Sequence, residues 1–297
     1  MFLAHMLLGF ILCKTKKVDI NHSKSLSTIM LFVMSPCMIL NSFLQQQFDP
    51  ESFKKMITYF AVTLLLQLLF MGILYIIFAR KYDDARYRIL SAGGVLGNVG
   101  FFGMPLIASV FPEEPLVLCY SSMNVMSMNL IVFTIGVFMI TNDKKFISLK
   151  SAILNPTSLT IIASLPIYIL GINFPNAVRN SVEVLAKAVT PTCMIILGMR
   201  LATVNLKKVF TRPFVYATCG MKLVLFPIFA YLCVRWLPFF DDVFKTTVIV
   251  LACAPAGAII ESLAELHDKE QEFAANVVLL TTILSIVTIP VVTHFLI

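Results

Sequence analysis

Three glycines, one asparagine and one proline lie within nine residues of an apolar stretch that carries almost no charge. They are Gly97, Asn98, Gly100, Gly103 and Pro105. Proline removes a backbone donor and glycine lets the chain unwind, so the pattern predicts an interrupted helix. The freed peptide groups must be buried in protein or line a wet cavity if the helix lies in a membrane. Such a break offers ligand binding by backbone dipoles and one side-chain amide.

A second stretch of this kind is LACAPAGAIIESLAE at 251–265. Pro255, Ala256 and Gly257 would form its break, and Glu261 follows six residues after the proline. The amino-terminal ends of half-helices present free N–H groups and positive partial charge, which suit an anion, and the carboxyl-terminal ends suit a cation. We therefore expect the two breaks to converge near mid-membrane and to form a polar site.

The roles of the polar side chains are open at this point. The amide of Asn98 would either bind substrate or satisfy the unwound backbone. Glu261 would hold a proton or cation, or reach the cytoplasmic interface. Lys222 would balance Glu261, attract an anionic substrate, or form a structural pair with its long stem. Pro105 taken alone would merely kink a packing helix, but its repetition at Pro255 favours a site.

The remaining polar groups have simpler interpretations. Asn124, Asn129 and Gln67 are expected to hydrogen-bond between helices. Glu183 and Lys187 have i,i+4 spacing and are expected to pair.

Composition places the chain in the membrane. Of its 297 residues 59% are hydrophobic and 13% are charged, the mean hydropathy is +0.89, and soluble domains carry about 25% charge. Apolar runs of roughly 17–25 residues match the thickness of a bilayer. The fold class is an all-α polytopic membrane protein, since the short alternating segments of a barrel are missing.

The apolar runs predict ten spans joined by short loops. They cover 1–13, 26–44, 56–79, 89–110, 116–140, 152–171, 181–204, 213–235, 244–264 and 274–296. Lys and Arg concentrate in the odd-numbered loops, as in the seventh with Lys207, Lys208 and Arg212. This bias predicts that the odd loops are cytoplasmic and that both termini lie on the non-cytoplasmic side.

The chain also repeats itself. Pro36 in SPCMIL corresponds to Pro191 in TPTCMIIL, 155 positions later, and Pro105 corresponds to Pro255, 150 positions later. Two halves, 1–145 and 146–297, would then hold five spans each. Because five is odd, the second half enters from the opposite side, which gives a 5+5 inverted repeat with broken helices 4 and 9 crossing. This architecture recurs in secondary transporters.

Several function classes have no support. No basic face interleaved with aromatic residues indicates nucleic acid, and no catalytic triad, phosphate loop or dinucleotide motif indicates an enzyme. Seven cysteines and four histidines are scattered without metal-ligand spacing, so no metal site is predicted.

Four segments carry a resemblance to a known family. They are GNVGFFGMPLI (97–107), IVFTIGVF (131–138), LNPTSLTIIASLPIYILGI (154–172) and AVTPTCMIILGMRLA (188–202). Together they resemble the auxin efflux carrier family, which includes the plant PIN-formed proteins and bacterial organic-acid permeases.

The resemblance implies a scaffold of helices 1, 2, 6 and 7 that forms a homodimer. It also implies a mobile transport domain of helices 3–5 and 8–10, in which helices 4 and 9 cross at their prolines. In the plant members an asparagine seven residues before the first crossover proline contacts the substrate anion, and Asn98 matches it; Pro255 matches the second crossover proline. Glu261 and the short loop 141–151 depart from the plant pattern, so another organic anion is at least as well indicated as auxin.

The sequence thus predicts a secondary carrier of a small organic anion, auxin-like or another carboxylate, that works by elevator-type alternating access. Asn98 and the backbone at 97–105 and 255–257 would hold the carboxylate. No cofactor is expected beyond a coupling proton or sodium ion at Glu261, and the partners are the substrate, membrane lipids and a second copy. The alternative is a non-transporting PIN-like sensor of a lipid or metabolite.

Overall fold

The computed structural model describes residues 2–203 and 213–296. Within these two ranges all regular structure is helical. The helices are α1 (Phe2–Lys14), α2 (His22–Leu44), α3 (Pro50–Lys81), α4 (Ala85–Gly93), α5 (Val99–Val110), α6 (Leu116–Thr141), α7 (Leu149–Leu154), α8 (Pro156–Ile169), α9 (Asn176–Thr203), α10 (Phe214–Arg235), α11 (Asp242–Ala252), α12 (Ala258–Leu266) and α13 (Gln271–Leu296). Lys207, Lys208 and Arg212 of the predicted seventh loop lie outside the described residues.

Six of the described helices are long and apolar enough to cross a membrane: α2, α3, α6, α9, α10 and α13. A seventh span results if α7 and α8, which meet at a bend of 42°, count as one. Large apolar side chains such as Leu65, Leu69 and Ile76 on α3 are exposed on the outside of the bundle. Such a surface suits lipid, and together with the six long apolar helices it confirms the prediction of a multi-pass α-helical membrane protein.

The predicted fourth and ninth spans each consist of two short helices. The chain leaves helical structure between Gly93 and Val99, and again between Ala252 and Ala258. Sequence and structure therefore agree that these two segments are interrupted.

The loops fall into two groups, each at one end of the bundle. At one end the N–H of Asp49 donates to the hydroxyl of Tyr168 over 3.2 Å, and Lys55 pairs with Asp241 at 2.9 Å. At the other end the ring of Phe146 lies 4.1 Å from that of His267. These contacts place the second predicted loop near the sixth and eighth, and the fifth near the ninth, which agrees with their predicted sides; which end is cytoplasmic stays a prediction.

Three of the prolines that lie within described helices are preceded by wider turns. π-helical turns at Met30–Met34, Val99–Gly103 and Met221–Leu225 each end two residues before a proline, namely Pro36, Pro105 and Pro227. A proline ring clashes with the carbonyl four residues earlier, and a π turn moves that carbonyl away by bonding over five residues. The helices therefore continue through these prolines.

Candidate functional site

The two interruptions lie against each other. The N–H of Asn98 donates to the carbonyl of Pro255 at 2.7 Å, and the N–H of Gly257 donates to the carbonyl of Leu96 at 3.0 Å. Between these bonds Gly97 and Ala256 form an antiparallel bridge. The free peptide groups of the breaks are thus largely satisfied by each other, as burial away from water demands.

Small residues allow this close approach. A Cβ on Gly257 would lie 3.2 Å from the carbonyl oxygen of Gly97, which is tighter than ordinary side-chain contacts. The N–H of Ala256 turns away from the bridge and donates to the hydroxyl of Thr281 on α13 at 3.1 Å. Glycine and alanine at the crossing therefore fix how near the two chains come.

The first break coincides with the predicted stretch 97–105 only at Gly97 and Asn98. Pro105 lies in the helical run that begins at Val99. The prediction that the broken backbone extends to Pro105 is therefore wrong, because the π-helical turn before the proline accommodates its ring without an interruption. The crossing consequently places Leu96, and not Pro105, in the position equivalent to Pro255.

Two helices begin at the crossing. The amino-terminal end of α5 follows Asn98, whose carbonyl accepts the N–H groups of Phe102 and Gly103 at 3.0 Å each. The amino-terminal end of α12 follows Gly257. The first N–H groups of a helix have no partner within it and carry positive partial charge. Two such ends beside one another form a place that favours an anion.

The opposite, carboxyl-terminal side of the crossing is occupied by Lys222. Its side chain is 1% exposed, and its ammonium donates to the carbonyl of Ala252, the last residue of α11, at 2.9 Å. The ammonium also lies 4.6 Å from the ring centre of Phe226. Cations stabilise helix carboxyl-terminal ends, so Lys222 completes the end of α11; it forms no ion pair with Glu261.

Beside Lys222 lies a polar network between α3 and α6. The amide of Gln67 donates to Asn124 at 3.3 Å and to the hydroxyl of Ser127 at 3.0 Å. Farther along α6 the amide of Asn129 donates to Thr157 and Ser158 on α8, both at 3.0 Å. The predicted interhelical role of these amides is confirmed.

Two cavities meet at Asn98. A polar cavity of about 480 Å³ is lined by Asn98, Arg200 and Glu261 among others. A more apolar cavity of about 200 Å³ extends from Asn98 and Gly100 toward Asn129 and Asn155. The side-chain amide of Asn98, unlike its backbone N–H, makes no hydrogen bond to any residue that the structure describes. Satisfying the unwound backbone is therefore not what this side chain does here, and its donors and acceptor are available to a ligand.

Glu261 faces the larger cavity together with a residue that the sequence did not single out. A guanidinium nitrogen of Arg200, on the last turns of α9, lies 3.7 Å from the carboxylate, and both side chains are 35% exposed. A carboxylate in a span needs a partner, and that requirement was the signal for a nearby cation. The partner was missed because Arg200, near the end of the predicted span 181–204, was counted with the charges of the seventh loop.

Helical spans and paired breaks define a multi-pass membrane protein with a candidate binding site at the crossing. The profile of the membrane transport protein family matches residues 2–293, and the chain belongs to this family, whose likeness to auxin efflux carriers the four sequence segments indicated. A protein of Rhizobium meliloti described as "Putative malonate transporter" is 24% identical over 227 residues, which cover 72% of this chain and 68% of that protein.

Proposed function

We propose that the protein is a secondary transporter that carries a small organic anion by alternating access. The observation that carries this proposal is the crossing itself. The side-chain amide of Asn98, which has no hydrogen-bond partner among the described residues, and the amino-terminal end of α12 border a cavity of about 480 Å³, a size that suits a small metabolite. The amino-terminal end of α5 borders the neighbouring cavity of about 200 Å³. Membership of a transport family and similarity to a protein described as a malonate transporter support a carboxylate as cargo.

A ten-helix, 5+5 inverted repeat is part of the proposal. Its support is the symmetry of the crossing, since a twofold rotation that exchanges Gly97 with Ala256 also exchanges the two flanking hydrogen bonds. Inverted repeats place binding sites where interrupted helices meet. The halves 1–145 and 146–297 would then be related by a pseudo-twofold axis that lies in the membrane plane.

The elevator mechanism rests on which helices share contacts. Helices α1, α2, α8 and α9 pack on one another and would form the scaffold, and the helices α3–α6 and α10–α13 would move as the transport domain. The cavity with Arg200 and Glu261 lies where α9 and α12 face each other. In this proposal two scaffolds associate as a homodimer, and Glu261 carries a coupling proton or sodium ion.

Asn98→Ala tests the transport function. Purified protein in proteoliposomes is assayed for uptake of a panel of labelled short carboxylates, and the variant is expected to lose about tenfold or more of the activity, since an uncompensated hydrogen bond to a charged group is worth that much. Asn173→Ala, an exposed loop residue, is the matched control and should transport normally. Wild-type transport by Asn98→Ala at equal reconstitution would refute the role.

A second candidate is a non-transporting sensor. The apolar walls of the 200 Å³ cavity, with Leu31, Met38 and Phe101, favour it because they suit a lipid or a hydrophobic metabolite. Counterflow separates the two functions, because only a transporter exchanges labelled for unlabelled substrate across a vesicle. Binding without counterflow would support the sensor.

A further inference from the structure

We propose that Arg200 is a specificity-determining residue that binds a second anionic group of the substrate, and that Glu261 occupies it when the site is empty. This inference rests on the proposed function, since it assumes that one carboxylate binds at Asn98. It assigns the substrate to the class of small molecules with two anionic groups.

The cavity brings the required groups together. Asn98 lies at one part of its wall and Arg200 at another, and both border the same space of about 480 Å³. The hydroxyl groups of Ser23, Ser27 and Thr282 line it as well. A guanidinium offers a planar set of donors that matches a carboxylate, so a small molecule in the cavity has two different anion-binding groups in its wall.

The ion pair between Arg200 and Glu261 is built loosely. The separation is 3.7 Å, against 2.6 Å for Lys187 with Glu183 and 2.9 Å for Lys55 with Asp241. Well-formed charge-assisted bonds are about 2.7–2.9 Å long. Because both partners are one-third exposed to the cavity, the pair is screened and contributes little. A substrate carboxylate with better geometry can therefore displace Glu261 from the guanidinium.

The residues that line the cavity also provide a second cation for the carboxylate of Glu261 after substrate displaces it from Arg200. The charged side chains among the described lining residues are Lys24, Arg200, Glu261 and Glu265. Two cations and two carboxylates balance in the empty cavity, so Arg200 is not an unpaired charge that any anion would fill. Lys24 borders the same cavity and offers Glu261 a cation once Arg200 binds substrate.

Succinate and butyrate test the idea, because they share a four-carbon chain and differ by one carboxylate. Binding of each to the purified full-length protein is measured by titration calorimetry. Arg200→Gln should weaken succinate binding about tenfold or more, the value of one charge-assisted bond, and change butyrate binding by less than about twofold. Arg200→Lys keeps the charge without the planar fork and should fall between. Glu261→Gln removes the internal competitor and should strengthen succinate binding.

The control is Arg179→Gln, on the same helix but bordering a different cavity; it should leave both affinities unchanged. Equal weakening of both ligands by Arg200→Gln, no effect on either, or weaker succinate binding by Glu261→Gln would overturn the proposal. If Asn98→Ala abolishes binding in those cases, the proposed function still stands. If the wild-type protein binds no carboxylate, the proposed function fails, and this inference fails with it.

Discussion

Two contacts between helices in this molecule are built by opposite means. Where α1 crosses α9, Gly9 faces the backbone of Ile195 and Gly198 faces that of Met6 so closely that a Cβ on either glycine would overlap a carbonyl. Where the two breaks cross, backbone N–H groups and carbonyls pair directly, and cavities begin at Asn98 on either side.

The difference shows how one membrane bundle combines a fixed part with an adaptable one. Small residues let two helices pack tightly, which is the main source of helix association in lipid, and that contact has no room for a ligand. The crossing leaves polar groups beside open space, and it needs a partner for them. Tight packing thus identifies a part that holds its shape, and the paired breaks identify the part where binding is proposed.

The tight contact can be broken with one methyl group. Gly198→Ala forces α1 away from α9, because the new Cβ would overlap the carbonyl of Met6, and overpacking of this kind costs about 2–3 kcal/mol. Thermal unfolding in detergent should show the largest loss of any substitution considered. Gly72→Ala, whose Cβ would meet nothing within 4 Å, is the control. Equal unfolding temperatures for both variants would show that the contact is not tight.

The polar side of the comparison depends on Lys222. Lys222→Met leaves the carbonyl of Ala252 without its donor, and an unsatisfied buried acceptor costs about 1–3 kcal/mol. The same variant should lose transport, because the end of α11 at the crossing is no longer held. Lys187→Met breaks only an exposed pair and should change stability by less than about 0.5 kcal/mol. A stable, active Lys222→Met protein would contradict this role.

Gly257→Ala sharpens the comparison with a smaller change. Its Cβ would lie 3.2 Å from the oxygen of Gly97, so the two chains must separate by a few tenths of an ångström. We expect a stability loss of about 1 kcal/mol, at the low end for overpacking, and a larger relative loss of transport, measured in the same vesicles. Gly220→Ala meets nothing within 4 Å and serves as the control. A variant that loses stability without losing transport would show that the crossing tolerates separation.

Much of the fold follows from sequence pattern alone. Apolar length set the long spans, glycines and prolines indicated which two segments are interrupted, and i,i+4 spacing identified the Glu183–Lys187 pair, which is confirmed at 2.6 Å. These features depend on residues close together in the sequence, so they can be predicted from short segments.

The parts that sequence missed depend on distant neighbours. Leu96 gives no sign of a break, since its carbonyl is paired at the crossing only because Gly257 supplies an N–H 161 positions later. Arg200 gave no sign of a site, because its partner is brought to it by a different helix. Long-range pairing of this kind cannot be read from one segment.

The π-helical turns before Pro36, Pro105 and Pro227 have a consequence for side-chain direction. Each such turn holds about one residue more than an α-helical turn, and one residue corresponds to a rotation of about 100° around the helix axis. The wider turn before such a proline therefore rotates the side chains that follow it around the helix axis, relative to the side chains that precede it. Lys222 lies inside one of these turns, so the wider turn before Pro227 helps to direct its ammonium at the carboxyl-terminal end of α11.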